Sequence, residues 1–157
     1  MFLSLLPSEA SLRDILDRTG TPIRPSAALK GNVILICIRD LVRDVASMKR
    51  AAVAAETIGG RAVALVIEPE VVTENYRNTA RYAMSVGNVS AVLVPSKEIV
   101  EHLGINEAEW NSIIVLMNET VIWNSADAQV SLQPVHNFES LDQALARIRA
   151  LEDQPQG

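Results

Sequence analysis

The sequence predicts an α/β three-layer sandwich, a central mixed β-sheet with helices on both faces. Three observations carry this. The runs Val33-Ile34-Leu35-Ile36-Cys37-Ile38 and Ala62-Val63-Ala64-Leu65-Val66-Ile67 are continuously apolar rather than alternating, the pattern of strands buried on both faces. Between and after these runs the apolar spacing changes to that of a helix. Further on, two short apolar runs flank Asn118-Glu119, a hairpin signal, ahead of a last amphipathic stretch. Strand, helix and strand followed by a hairpin and a helix place the hairpin beside parallel strands in one sheet.

Taken in order, the first expected element is a short helix. Ser8 caps it, Leu12, Ile15 and Leu16 make its apolar stripe, and Thr19-Gly20 ends it. Pro22 and Pro25 then hold an extended connection, since each biases the residue before it away from helix. After the strand at 33–38, a helix is predicted over 41–58. Its inner face is Leu41, Val45, Met48, Ala52 and Ala55, its other sides carry Arg43, Lys49, Arg50 and Glu56, and Gly59-Gly60 stops it. The second buried strand, 62–67, ends at Glu68-Pro69. A helix over 71–86 follows, with Val72, Tyr76, Ala80, Ala83 and Met84 inward and Gly87-Asn88 as its breaker.

Residues 89–94 are extended and apolar, and Pro95-Ser96 starts a short helix through Leu103, closed by Gly104. The hairpin pairs 112–117 with 120–123. Ser140 and Gln143 form a capping box for the last helix. Its inner stripe is Leu141, Ala144, Leu145, Ile148 and Leu151, while Arg147 and Arg149 face out. The chain divides into an N-terminal segment with the short helix (1–18), one domain (19–152) and a disordered tail (153–157).

Composition narrows the function. At 157 residues the chain suits one domain, and 48% hydrophobic with 21% charged residues is ordinary for a globular protein. The net charge of -5 and the lack of a basic cluster speak against a nucleic-acid surface. One cysteine excludes an internal disulfide and a multi-cysteine zinc site, and His102 and His136 lack metal-ligand spacing. The apolar start Met1-Phe2-Leu3-Ser4-Leu5-Leu6-Pro7 has neither a basic region nor a small-residue cleavage site, and no stretch is long enough to span a membrane. The expected location is the cytoplasm.

The segment Gly20-Thr21-Pro22-Ile23, with Leu29-Lys30-Gly31-Asn32-Val33-Ile34-Leu35 after it, resembles the opening motif of the thioredoxin-like superfamily. It is most similar to the branch that holds the TlpA/ResA-type thiol-disulfide oxidoreductases and the peroxiredoxins. Leu103-Gly104-Ile105 followed by strand, turn and strand resembles that branch's later pattern. The likeness runs over 19–124, roughly two thirds of the chain. It implies a W-C-x-x-C at the start of the long helix, where the helix N-terminus favours a thiolate. Here Val42 and Val45 take the two cysteine positions. It also implies a cis-proline before the hairpin's first strand, and Asn111 stands at that place. No cysteine follows a Thr or Ser by three residues with an arginine well downstream, as peroxidase chemistry would want. With both hallmarks replaced, the resemblance implies a scaffold without its redox site, with no catalytic residues and no cofactor.

The remaining candidates have plain structural readings. Cys37, inside a β-branched run, reads as a small buried hydrophobe. Arg39, Asp40, Arg43 and Asp44 surround the lost thiol site, where Asp40 suits a helix cap. Trp110, in a polar loop with Asn106, Glu107, Glu109 and Asn111, reads as a partner contact, whereas Trp123 packs on the sheet. Tyr76, Arg77, Arg81 and Tyr82 suit a helix with one buried tyrosine better than a base-stacking surface. Gly59-Gly60-Arg61 is too short for a phosphate loop. His102 suits the C-terminus of its helix, and His136 carries no signal. Phe2, Leu3, Leu5 and Leu6 either fold back on the sheet or insert into a partner.

The expected function is a redox-inactive thioredoxin-like domain, a protein-binding or structural subunit of a larger assembly and not an enzyme. Its partner, a protein or a second copy, would meet Leu41, Val42, Arg43, Asp44, Trp110 and Asn111. No metal, nucleic acid or membrane span is expected. One alternative is a divergent thiol oxidoreductase or peroxidase that uses Cys37 or a partner's thiols. The other is a small-molecule-binding domain with its ligand near Arg39-Asp40 and Glu68-Pro69.

Overall fold

A computed structural model describes residues 12–17, 29–66, 73–95, 112–118, 120–125 and 138–152. Among these, six strands form one sheet: β1 (Leu12–Asp17), β2 (Asn32–Ile38), β3 (Arg61–Val66), β4 (Ala91–Pro95), β5 (Ile113–Met117) and β6 (Thr120–Asn124). The helices are α1 (Val45–Glu56), α2 (Glu74–Gly87) and α3 (Phe138–Glu152). The sheet order is β1-β4-β3-β2-β5-β6. β2, β3 and β4 run parallel, while β5, β6 and β1 are each antiparallel to the neighbour they pair with. The sheet is therefore mixed, as the sequence predicts.

Successive parallel strands step in one direction across the sheet, and right-handed crossings then put α1 and α2 on the same face. That face shows Ile34, Ile36 and Ile38 of β2, Ala62, Ala64 and Val66 of β3, and Ile113 and Val115 of β5. Met48, Ala51 and Ala55 of α1, Ala80, Ala83 and Met84 of α2, and Leu141 and Leu145 of α3 close over it. Burial of each large aliphatic side chain contributes about 1.5–3 kcal/mol. Small residues let α1 and α2 approach closely: a Cβ on Gly87 would lie 3.0 Å from Met48 Cβ. The opposite face (Val33, Leu35, Cys37, Val63, Leu65, Ile114, Leu116) is just as thoroughly buried, so the sheet is a middle layer. All three described helices stand on the first face.

The end of the sheet where β2 and β3 begin is stitched by polar contacts. The Asn32 side-chain amide donates to Ile58 O at 2.9 Å, and the Arg61 guanidinium to Lys30 O at 2.9 Å. α1 stops as Gly59-Gly60 predicts. Gly59 takes φ 62°, and Gly60 N–H reaches back to Ala55 O at 2.9 Å, the six-to-one bond of a Schellman cap. A Cβ on Gly60 would sit 2.4 Å from the Asn32 carbonyl oxygen, so only glycine fits this corner. Asn88 in the left-handed region ends α2, and Asn118 (φ 54°) turns the hairpin. In that hairpin Val115 faces Trp123 and Leu116 faces Val121, which leaves Ile122 as an extra, bulged residue on β6. Trp123 and Tyr76 are half-buried against the core, as expected.

Four expectations need correction. Leu12–Asp17 is a strand, not a helix, and it pairs antiparallel with β4, Ile15 opposite Leu93. Six residues are too few to hold a helix unaided, and the open edge of β4 offers them a ladder that is regular from Asp14 to Asp17, with a register shift between Leu12 and Asp14. Ser140 lies inside α3, which already includes Phe138, so the helix does not start at Ser140. Phe138 is half-buried against the core, and that contact takes the helix back past the predicted cap. α1 and α2 begin at Val45 and Glu74, later than the apolar periodicity indicates. Thr73 caps α2 by accepting from Tyr76 N at 3.1 Å. Pro95, expected to start a short helix, is the last residue of β4. The rest of that helix (96–104, with His102), the Pro22–Pro25 connection, Glu68-Pro69, His136, Phe2–Leu6 and the tail 153–157 lie outside the described residues. No described helix is long and apolar enough to cross a membrane.

Candidate functional site

The carboxyl end of β2 delivers the chain into a tight turn, residues 39–44, that leads to α1. Asp44 N donates to Asp40 O at 3.1 Å and Met48 N to Asp44 O at 3.0 Å, so helical bonding begins before α1 proper. Two carboxylates fix the turn. Asp40 Oδ1 accepts from Val42 N at 2.8 Å and Arg43 N at 3.0 Å. Asp44 Oδ2 accepts from Asp40 N at 3.1 Å and Arg39 N at 3.2 Å. The exchange resembles a capping box extended by one residue. Asp40 thus caps the turn at 41–44 rather than α1, whose N-cap position is held by Asp44 with no side-chain cap bond. Asp44 is Asp40's reciprocal partner in the turn, which the sequence reading missed. The visible signal was a second aspartate four residues after the first.

This places the predicted residues individually. Leu41 is buried at 3% exposure and pins the turn to the core, while Val42 is 60% exposed. Val45 is half-buried and packs against the core. Of the two positions that hold cysteines in the related pattern, the first faces solvent and the second faces inward. Arg43 is exposed. Leu41, Val42, Arg43 and Asp44 therefore come together in one turn, whereas Trp110 and Asn111 lie outside the described residues.

A helix N-terminus offers unpaired N–H groups and partial positive charge, which elsewhere stabilise anions and thiolates. Here the chain's own carboxylates take the amides of Arg39, Asp40, Val42 and Arg43 in the turn ahead of α1, and the outward group is an isopropyl. The turn can hold a shape and present an apolar contact. Val42 and Val45 supply no nucleophile and no titratable group.

The chain's one thiol is nearby but inaccessible. Cys37, on β2, is fully buried, and burial pushes its pKa far above the ordinary thiol range. Its N–H donates to Ser112 O at 3.0 Å. The Ser125 hydroxyl, itself buried, accepts from Ile113 N at 2.8 Å and ties the end of the hairpin to the start of β5. Behind the turn, the Arg50 guanidinium of α1 pairs with the Asp142 carboxylate of α3 and lies over the Phe138 ring, 5.2 Å from its centroid. Neither contact was read from the sequence, because residues about 90 apart reveal no pairing without the fold. Among the described residues no group of three or more His, Cys, Asp or Glu side chains is placed to hold a metal.

No family model and no curated protein matches the sequence. Solved structures do match. AhpC of Enterococcus faecalis aligns with TM-score 0.59 and 10% identity, over 92% of this chain and 90% of its own. ScoI of Arabidopsis thaliana, solved with copper bound, aligns with TM-score 0.57 and 14% identity, over 87% and 96%. A protein of Aquifex aeolicus VF5 described as an electron transfer protein aligns with TM-score 0.53 and 10% identity, over 86% and 91%. At such identities the likeness is one of fold, and that fold is thioredoxin-like.

Proposed function

We propose that this thioredoxin-like chain is a redox-inactive domain that serves as a protein-binding or structural subunit of a larger assembly. It would meet its partner, another protein or a second copy, through Val42, Arg43 and Asp44, with Trp110 and Asn111 as further contacts. Leu41, expected in that set, is buried and serves instead to hold the turn on the core. The observation that carries the reading is the turn before α1. Where thiol chemistry needs an activated cysteine, Val42 stands 60% exposed above amides that Asp40 and Asp44 already occupy. An exposed valine on a braced turn suits an apolar contact better than a reaction.

The names of AhpC and of the electron transfer protein favour the competing reading, a divergent thiol enzyme. That enzyme would have to work through Cys37 or through a partner's thiols. The burial that keeps the Cys37 thiol protonated weighs against the first route.

Affinity isolation of the tagged chain from its native cells, with size-exclusion chromatography and mass spectrometry, tests the proposal. A stoichiometric partner is expected. Val42→Asp and Trp110→Ala should each weaken its retention at least tenfold without moving the thermal midpoint. Unchanged retention in both variants would overturn the site. Thiol-dependent turnover that Cys37→Ser abolishes would overturn redox inactivity.

A further inference from the structure

We draw no further inference here: the strongest candidate, the exposed apolar ridge formed by Val42 in the turn before α1 and Val53 on that helix's outer side, carries nothing, because nothing in the structure shows what covers it.

Discussion

Asp40 and Asp44 decide the character of the turn more than the two valines do. Installing both cysteines, as Val42→Cys with Val45→Cys, should not give a reactive thiolate. The Val42 and Arg43 amides already serve the Asp40 carboxylate, whose negative charge opposes a second one nearby. The first cysteine is expected to alkylate with a pKa at or above the ordinary value of about 8.5. Adding Asp40→Asn should lower that pKa by removing the charge. The pH dependence of iodoacetamide labelling checks both, and a low pKa with Asp40 intact would contradict the account. Cys37 gives a second prediction at this scale. Burial raises its pKa in the folded chain. Above about pH 8.5 the unfolded chain therefore releases a proton that the folded chain keeps, and stability must fall as pH rises, by up to about 1.4 kcal/mol per unit. The advantage of the native chain over Cys37→Ala should shrink between pH 8 and 10 in urea unfolding. A constant difference would mean that the thiol ionises in place.

At the scale of elements, the clearest successes and failures share one cause. β2 and β3 were legible because both their faces are buried, which leaves an unbroken apolar run. α2 was legible because Ala80, Ala83 and Met84 repeat at helical spacing. Leu12–Asp17 was not: its leucines, isoleucine and charges fit either period, and only its pairing with β4 decides. The start of α3 was misjudged for the same reason, since the half-buried Phe138 that extends it acts through the core. Arg50, Asp142 and Phe138 join α1 to α3, and a double-mutant cycle on Arg50→Ala and Asp142→Ala measures the ionic part. Both side chains are partly exposed, so the coupling should be about 0.2–1 kcal/mol and should fall in 1 M salt. A coupling that salt leaves unchanged would assign the contact to packing instead.

On the scale of the whole molecule, β2 and β3 lie innermost, each flanked by strands on both sides, with helices packed on one of the sheet's faces. Hydrogen exchange should therefore be slowest in β2 and β3 and faster in β1 and β6, the outer strands. Equal protection across all six strands would contradict this ordering. The same centre-to-edge gradient explains what the sequence disclosed. It carried the sheet's middle, because that is written in a few adjacent residues. It did not carry the outer pairings or the reciprocal Asp40–Asp44 bracing, which exist only once distant segments meet or a turn closes. The bulge at Ile122 has a consequence for self-association. A sheet extends itself by recruiting one flat strand after another, each copying the hydrogen-bond spacing of the last. With one residue too many in five, β6 presents a broken spacing at its outer margin, and a chain docking there loses register halfway along. Fibrillar growth from that margin is thereby discouraged even though Ile122 leaves an oily side chain in solvent.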